Sequence, residues 1–485
     1  MSNWRRVDEI ITYHGKGVTP KYVDKSSIIV LNQKCIRNNK IDYSFAQYID
    51  ENKIYNEEKF LKIGDILINS TGQGTAGRVA LVEYIPENFK IIVDSHILVL
   101  RTNNFFESKC LNYSLFSIES TLQKFMDGST GQGEFDRVRL FNVKVGYSRD
   151  ISTQQKIASV LSALDDKIEL NNKINAELEQ MAKLLYDYWF VQFDFPNEHG
   201  KPYKSSGGKM VYNETLKREI PEGWEVENLF NVCKVQYGFP FSTDYFNEDK
   251  NGIPVIRIRD ILENSISIYS TQNSIDEKYK IDIGDILVGM DGNFHINFWS
   301  QDNCYLNQRV VKLKETILPS IYLKHQIEPF IKAREKSISR TTVGHLSDKD
   351  LKNIHVIIPP ENYLSIIKSI FEASLSKIIS AKKQNQELAQ LRDWLLPMLM
   401  NGQVKVSDNY SSDNDEHSIV IPKEMDLAAE PTIGYQKLEP FATNESLEID
   451  PRFESWLAHQ GLAARGDIDT ETLREIFDAM DDEDK

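Results

Sequence analysis

The residues best suited to chemistry in this sequence are polar side chains carried on glycine-rich segments. One such segment, GQGTAG at 72–77, matches the pattern G-x-G-x-x-G. In dinucleotide-binding proteins that pattern ends a strand and begins a helix, whose N-terminus faces the pyrophosphate. Here the following residues, RVALV at 78–82, have the composition of a strand. We therefore predict a glycine-rich hairpin loop at 72–77 and no nucleotide site.

The sequence carries none of the motifs that would give the chain an active site of its own. It has no G-x-x-x-x-G-K-[ST] phosphate loop and no H-E-x-x-H zinc motif. The pair Pro359-Pro360 lacks the flanking Asn or Asp and the aromatic residue of an amino-methyltransferase site. We predict no catalysis and no metal or cofactor on this chain. No C-x-x-C pair occurs, so we expect reduced thiols at Cys35, Cys110, Cys233 and Cys304.

Two pairs of polar loops are better suited to binding nucleic acid. The segment 69–78 (NSTGQGTAGR) has a counterpart at 291–295 (DGNFH), and the segment 129–139 has one at 339–345. Arg can pair with guanine, Asn or Gln with adenine, and Ser or Thr with phosphate oxygens. Plain solvated turns would have the same composition, so both interpretations stay open here. Basic residues suited to contacting a DNA backbone are Lys34, Arg37, Lys40, Arg257, Arg259, Lys336 and Arg340.

The elements that would carry these loops occur twice. IGDIL at 63–67 recurs at 283–287, and HILVL at 96–100 aligns with RVVKL at 309–313. Both pairs keep their order at a nearly constant offset, which indicates one duplicated domain rather than a solenoid of short repeats. Apolar segments between Gly- and Asn-rich turns predict strands at Ser27–Leu31, Asp65–Asn69, Arg78–Val82 and His96–Leu100, and a helix around Ser114–Met126.

Each copy is followed by a segment with apolar residues at helical spacing. ELEQMAKLLYDYWF, within Ser152–Phe190, aligns without a gap with ELAQLRDWLLPMLM, within Tyr363–Met400. The apolar stripes predict two long helices that pair antiparallel as a coiled coil, with the polar pair Asn171 and Asn172 interrupting the first stripe. The residues expected at the helix–helix contact are Ile157, Leu164, Leu178, Met181, Leu185, Ile367, Leu388, Leu391 and Leu395.

We predict an α+β protein with two duplicated domains, the two long helices and an acidic C-terminal extension. The net charge of −15 is confined to the extension, because residues 407–485 hold 21 Asp and Glu against 6 Lys and Arg. The extension matches neither copy. The expected order is a first domain at 1–151, a central helix at 152–196, a linker at 197–223, a second domain at 224–362, a C-terminal helix at 363–406 and a partly disordered acidic extension at 407–485.

The N-terminal residues, MSNWRR, are polar, and no apolar run approaches the length of a membrane span. The hydrophobic content of 41% and aromatic content of 10% are those of a folded protein, which excludes a wholly disordered chain. We therefore expect a cytoplasmic location with no membrane partner.

The repeated phrases resemble those of a known family. The chain resembles the specificity (S) subunit of type I restriction–modification systems over about residues 1–406. In the first copy the matching phrases are weaker, KIGDILINSTGQGTAGRVALV at 62–82 and RLFNVKV at 139–145. In the second copy they are IPEGWEVENL at 220–229, YGFPFSTDYF at 237–246, GIPVIRIRDI at 252–261, IGDILVGMDGNF at 283–294, YLNQRVVKL at 305–313 and TTVGHLSDKDLKNIHVIIPP at 341–360.

The resemblance implies a non-catalytic subunit with two target recognition domains, each of which reads half of a bipartite double-stranded DNA site. It implies two modification (methyltransferase) subunits, which use S-adenosylmethionine to methylate adenine, and restriction (translocase and nuclease) subunits, which use ATP and Mg²⁺. By position in the loops, the candidate DNA contacts are Asn69, Ser70, Thr71, Gln73, Thr75, Arg78, Ser129, Thr130, Gln132, Arg257, Arg259, Asp291, Asn293, His295, Arg340, Thr341, Thr342 and His345.

Two alternatives to this function stay open from the sequence. The chain could serve a modification-only methyltransferase that has no nuclease partner. It could also be a duplicated protein-interaction scaffold without DNA binding, which salt-dependent binding to duplex DNA would exclude. The sequence does not predict which DNA bases are recognised, because similar loops on similar frames can read different bases.

Overall fold

The computed structural model describes residues 4–72, 74–127, 134–337 and 344–406. The chain forms two compact units, one from the described residues of Met1–Ile168 and Glu387–Gln436 and the other from Glu169–Gln386. None of the helices in the described ranges is long and apolar enough to cross a membrane. Several predicted site residues and the acidic extension lie outside the described residues, namely Gln73, Ser129, Thr130, Gln132, Arg340, Thr341, Thr342 and 407–485.

The first copy consists of short strands and three helices, followed by α4 (Ile151–Tyr186). Its helices are α1 (Phe105–Ser117), α2 (Glu119–Leu122) and α3 (Arg137–Asn142). Its strands are β1 (Trp4–Arg6), β2 (Tyr13–Lys16), β3 (Ile28–Leu31), β4 (Ile36–Arg37), β5 (Lys40–Ile41), β6 (Gln47–Tyr48), β7 (Ile66–Asn69), β8 (Val79–Leu81), β9 (Lys90–Val93), β10 (Ile97–Arg101), β11 (Met126–Asp127), β12 (Glu134–Phe135) and β13 (Lys144–Gly146).

The second copy has the same kind of composition and is followed by α9 (Glu361–Met400). Its helices are α5 (Leu229–Val232), α6 (Ile258–Glu263), α7 (Ser320–Ser337) and α8 (Asp348–Lys352). Its strands, with a preceding hairpin, are β14 (Met210–Asn213), β15 (Arg218–Pro221), β16 (Glu225–Asn228), β17 (Cys233–Tyr237), β18 (Phe246–Asn247), β19 (Ile253–Ile256), β20 (Tyr269–Ser270), β21 (Lys280–Ile281), β22 (Ile286–Gly289), β23 (Ile296–Phe298), β24 (Cys304–Leu306), β25 (Val310–Glu315) and β26 (His355–Ile358).

The two copies have the same sheet topology, which confirms the predicted duplication. An antiparallel sheet has the order β2-β10-β7-β8 in the first copy and β17-β25-β22-β23 in the second. In each copy a parallel pair forms beside it, β3 with β9 and β19 with β24. The first and last strands of each copy also pair, β1 with β13 and β16 with β26. The four strands predicted in the first copy are confirmed to within one residue at each end.

The central strand of each sheet is buried on both faces, and its side chains alternate between two cores. Ile66 and Ile68 of β7 pack in one cluster with residues of α1, whereas Leu67 packs in another with residues of β3 and β9. In β22, Ile286 packs in a cluster with residues of α7, and Leu287 packs with residues of β19 and β24. This period of two explains why both residues of the repeated phrase that lie in the strand, Ile and Leu, are apolar.

The turn before each central strand accounts for the Gly and Asp of the repeated phrase IGDIL. Gly64 and Gly284 both have φ of +91°, a conformation that side chains with a Cβ rarely adopt. The buried carboxylates of Asp65 and Asp285 accept a hydrogen bond from the backbone N–H three residues earlier, at 2.9 and 2.7 Å. Each also pairs with a cation of the neighbouring strand, at 2.7 Å in β10 and 3.4 Å in β25. The repetition of Gly and Asp in this phrase therefore has a structural cause.

In the first unit, the beginning of α4 packs against the end of α9. Leu161 shares an apolar cluster with Leu395 and other residues of α9. Asp165, one turn further along α4, pairs with Arg392, almost one turn earlier in α9, at 2.8 Å. The contacts advance along one helix as they recede along the other, so these two segments are antiparallel. Pro397 lies within α9.

In the second unit, Asn171 lies in the buried stripe of α4 and is only 3% exposed. Its Nδ2 atom donates to Gln384 Oε1 at 2.7 Å and to Asn385 Oδ1 at 2.8 Å. Asn171 thus interrupts the apolar stripe, as predicted, but not the helix contact, because its amide is paired across that contact. Ile174, three residues further along α4, is 42% exposed.

Two further local predictions hold only in part. The helix expected around Ser114–Met126 is present as the end of α1 and the whole of α2, but α1 begins earlier, at Phe105. Asn104 caps that earlier start by accepting from the Glu107 N–H at 3.0 Å. The segment 197–223, expected to be a polar linker, contains the β14–β15 hairpin. Just before it, Phe195 stacks on Tyr203 and on Trp224, with ring centroids 4.7 and 4.9 Å apart. Aromatic packing therefore orders this segment despite its polar composition.

Candidate nucleic-acid interface

The G-x-G-x-x-G segment of the first copy is the loop between the antiparallel strands β7 and β8, as predicted. Its first turn is tied to two other parts of the copy through Ser70. The Ser70 N–H donates to the His96 carbonyl at 2.7 Å, and the Ser70 carbonyl accepts from the Phe135 N–H at 3.1 Å. No helix begins after the loop, so the geometry of a dinucleotide site is absent among these residues.

The loop between β22 and β23 in the second copy is held by the same backbone frame. The Met290 N–H donates to the Arg309 carbonyl at 3.0 Å, and the Met290 carbonyl accepts from the Leu346 N–H at 2.7 Å. Next to it, Asp291 and His345 form an antiparallel bridge. The two loops therefore occupy equivalent places on equivalent sheets.

Asn69 and Ser70, both predicted to contact DNA, are buried in the first copy. Asn69 Nδ2 donates to the Gln33 carbonyl at 3.1 Å, and Ser70 Oγ donates to the His96 carbonyl at 2.8 Å. Burial leaves their side chains no surface to offer a ligand. They hold the loop to its neighbours and position the residues that follow.

Thr71, Thr75 and Arg78 lie on the accessible part of the loop. Thr71 Oγ1 accepts a hydrogen bond from Gln33 Nε2 and lies 2.9 Å from His96 Nδ1. Thr75 Oγ1 donates to the Thr71 carbonyl at 3.2 Å, and Arg78 Nη2 donates to a carbonyl within the loop at 2.9 Å. Gln33 and His96 are thus part of this polar cluster, although the sequence analysis did not single them out.

In the second copy the predicted residues converge on an open cleft of about 430 Å³. Five of the nine lining residues were predicted from the sequence, which is the strongest agreement between the predicted residues and the structure. The lining residues are Arg257, Ile258, Arg259, Asp291, Asn293, His295, Asn307, Arg309 and Val310.

Asp291 is the centre of a charged cluster in this cleft. Its Oδ1 lies 2.6 Å from His345 Nδ1, and its Oδ2 lies 3.1 Å from Arg309 Nε. His345 was predicted as a DNA contact, whereas Arg309 was not. Arg309 aligns with His96 in the repeated strand phrases, and neither residue was singled out from the sequence.

Arg257 and Arg259 follow strand β19 and give the cleft its positive charge. Burial lowers the pKa of Arg257 from its usual value, and the charge of Arg259 lowers it further. Arg257 Nη2 donates to Ser267 Oγ at 2.7 Å, and its Nε lies 3.8 Å from the buried Asp260 carboxylate. Arg257 is therefore partly structural, whereas the exposed Arg259 offers its guanidinium to solvent.

The residues predicted at the helix contact divide by burial. Ile157, Leu178, Ile367 and Leu395 are buried. The others are half-buried, namely Leu164, Met181, Leu185, Leu388 and Leu391. All nine thus face protein to some extent, as an amphipathic helix requires.

Comparison with known proteins places both copies in one family. The family model described as "Type I restriction modification DNA specificity domain" matches residues 1–180 and 221–390, one match for each copy. The type I restriction enzyme MjaIX specificity subunit of Methanocaldococcus jannaschii is 30% identical over 316 residues, 61% of this chain and 69% of that protein. The HindI specificity subunit of Haemophilus influenzae is 25% identical over 418 residues, 72% of this chain and 88% of that protein.

Two further matches have lower coverage or lower identity. The EcoBI specificity subunit of Escherichia coli is 29% identical over 235 residues, 44% of this chain and 49% of that protein. A crystal structure of a type I restriction–modification S subunit from M. genitalium has a TM-score of 0.46 and 17% identity, covering 82% of this chain and 96% of that one.

The chain belongs to the family of type I restriction modification DNA specificity domain proteins. Within that family it is a specificity subunit, and its function is to recognise DNA sequence in a restriction–modification system. The resemblance found in the sequence is confirmed.

Proposed function

We propose that each copy binds one half of a bipartite duplex DNA target through its β7–β8 or β22–β23 loop. The observation that carries this proposal is the equivalence of the two loops, which share a backbone frame on sheets of the same topology. Each loop presents a different set of polar side chains, so the two half-sites differ in sequence. The cleft of the second copy adds Arg257, Arg259 and Arg309, which can contact phosphates and base edges.

We propose that α4 and α9 set the spacing between the two half-sites. Each helix contributes one segment to each unit, and the two segments within a unit run antiparallel. Leu161 with Leu395 in the first unit and Asn171 with Gln384 in the second support a contact between α4 and α9 in each unit. A rigid helix pair of this kind would fix how many base pairs lie unread between the half-sites.

We propose that catalysis lies entirely on partner subunits. Two modification subunits would bring S-adenosylmethionine and methylate adenine, and restriction subunits would bring ATP and Mg²⁺. The relatives that support this assignment are named as specificity subunits of type I restriction enzymes. The described residues contain no group of His, Cys, Asp and Glu suited to holding a metal ion.

The test is reconstitution with the cognate modification subunits. The chain alone should leave DNA unmethylated, and the complex should methylate adenines at one split sequence. Exchange of residues 224–360 for those of a relative should change one half of that sequence and leave the other unchanged. Methyl transfer by the isolated chain, or a swap that changes both halves, would contradict the proposal.

A further inference from the structure

The two copies keep one hydrogen-bonded frame at the hairpin loop but change the pair of side chains held on it. In the first copy Thr71 Oγ1 lies 2.9 Å from His96 Nδ1. In the second copy the equivalent positions are Asp291 and Arg309, whose Oδ2 and Nε atoms are 3.1 Å apart. Ser70, which precedes Thr71, and Met290, which precedes Asp291, make equivalent backbone hydrogen bonds. The side chains of this pair therefore vary while their place in the fold does not.

We propose that Arg309 is a specificity-determining residue that recognises a guanine in the half-site bound by the second copy, and that Asp291 is its positioning residue. This inference rests on the proposed function, because it assumes that the cleft faces duplex DNA. The cleft would select guanine at one position. Asp291, predicted from the sequence to contact DNA, would instead act through Arg309.

The geometry of Arg309 suits a base contact. Its side chain is 55% exposed and lines the cleft, while its Nε is fixed by the Asp291 carboxylate. Its terminal nitrogens make no hydrogen bond with any residue in the described part of the chain, so they remain available to a ligand. Two parallel N–H groups match the O6 and N7 acceptors of guanine in the major groove.

Asp291 is unsuited to contact DNA itself. Both carboxylate oxygens are already engaged, one by Arg309 and the other by His345 at 2.6 Å. An unpaired carboxylate in this cleft would also repel the phosphates. Paired with Arg309 and with His345 from different segments, Asp291 instead restricts the rotamers of Arg309, which lowers the entropy cost of a directed contact.

Arg259 provides the contrast within the same cleft. It is exposed, and no carboxylate of the described residues lies within ion-pair distance of it. A long, unrestrained cation can follow a phosphate but cannot hold the fixed angle that a bidentate base contact needs. Arg259 is therefore the matched control, since its loss should weaken binding to all sequences alike.

The experiment uses the complex of the full chain with its modification subunits, and a duplex carrying the target found by methylome sequencing. Each guanine of the second half-site is replaced in turn by 7-deazaguanine, which lacks the N7 acceptor. For the wild type, one position should cost roughly tenfold in affinity. Arg309→Ala should bind the unmodified duplex roughly 10- to 100-fold more weakly and show no further loss at that position.

Two further variants separate base recognition from structure and charge. Arg309→Lys keeps the charge but lacks the fork, so it should also lose the effect of 7-deazaguanine. Asp291→Asn should reduce discrimination at the same position while the dependence of affinity on salt stays as in the wild type. Arg259→Ala should keep the full 7-deazaguanine effect and lose affinity uniformly, with a smaller salt dependence.

Either of two results for Arg309→Ala would overturn the inference. The variant could keep the wild-type response to 7-deazaguanine, or it could lose affinity equally for every sequence, as expected for a phosphate contact. A wild-type complex that methylates no defined sequence would overturn the proposed function itself. The two failures are therefore distinguishable from the wild-type measurement alone.

Discussion

The Nδ2 atom of Asn171 on α4 lies 2.7 Å from the Oε1 atom of Gln384 on α9, across the contact between the two helices. Asn385 accepts a second bond from the same amide and donates to Asn172 Oδ1 at 2.8 Å. Asn171 is buried in this polar layer and Asn385 is half-buried, whereas Gln384 and Asn172 are exposed. A shift of either helix would leave the buried Asn171 amide without these partners, so the layer favours one register. The layer therefore specifies the alignment of the two helices more than it adds to their stability.

Replacement of Asn171 by Leu should expose the cost of breaking this layer. The exposed Gln384 would bond water instead, but the half-buried Asn385 would lose a donor. We therefore expect the free energy of unfolding to fall by about 1 kcal/mol. Urea unfolding followed by circular dichroism would measure the change. The double variant Asn171→Leu with Asn385→Leu should recover most of it, since two apolar side chains satisfy each other. Equal stability of wild type and single variant would contradict the role of the layer.

The repeated turn before the central strand gives a second prediction, with a control in the other copy. Gly64→Ala and Gly284→Ala should each lower the free energy of unfolding by about 1–2 kcal/mol, because φ is positive at both positions. Space is not the cause, since the nearest atoms to an added Cβ lie 3.7 and 3.6 Å away. Denaturant unfolding of both variants checks the result. A cost in one copy alone would show that the two turns are not equivalent.

The repeated apolar phrases were predictable because a strand that is buried on both faces leaves a continuous apolar run. The pairing of Asn171 across the helix contact was not predictable, because its partner Gln384 lies over two hundred residues away in sequence. The segment around Phe195 and Trp224 was misjudged for a related reason: its few aromatic residues supply the packing energy, and composition averages them away.

The predicted site residues also divide into those that the structure brings to one site and those that it buries. Arg257, Arg259, Asp291, Asn293 and His295 were predicted from residue type and loop position, and the structure brings them to one cleft. Asn69 and Ser70 have suitable side chains but are buried, because both belong to the hydrogen-bonded base of the hairpin. Which polar residues of a loop face outward depends on the backbone bonds at its base, and these join segments distant in sequence.

A third prediction concerns His325 of α7, which packs against Tyr186 of α4 with ring centroids 5.3 Å apart. Burial lowers the pKa of His325 to about 3, and Lys324 and Lys183 add to the shift. In the unfolded chain the imidazole has a pKa near 6.5, whereas in the folded chain its pKa is about 3. Between these pH values the unfolded state binds a proton that the folded state does not, so the free energy of unfolding falls as the pH drops from 6.5 to 3. The carboxylate of Glu328, 3.9 Å from its Nδ1, is too distant to reverse the effect.

His325→Phe removes the titrating group while keeping a planar ring of similar size. Between pH 7.5 and 4.5 the variant should lose less stability than the wild type, by an amount of order 2 kcal/mol. Urea unfolding at both pH values gives the comparison. If both proteins lost stability equally, another group would have to account for the acid sensitivity.

The final prediction concerns the lengths of α4 and α9, which we propose set the gap between the two half-sites. Four residues inserted between Ile168 and Glu169 of α4, together with four between Gln386 and Glu387 of α9, leave the contacts within each unit unchanged. The Asp165–Arg392 pair stays in one unit and the Asn171 layer in the other. Four residues add close to one turn and roughly 6 Å, whereas one base pair rises about 3.4 Å. The gap between half-sites should therefore lengthen by about one or two base pairs, with the bases read in each half unchanged.

Methylome sequencing of cells that carry each variant with the modification subunits measures the gap. A paired two-residue insertion is the control for rotation, because it turns each stripe by roughly 200° and should abolish methylation. Insertion of four residues in α4 alone controls for register, since it would shift one set of helix contacts against α9 and should reduce activity. An unchanged gap with full activity after the paired four-residue insertion would show that the helices do not set the spacing.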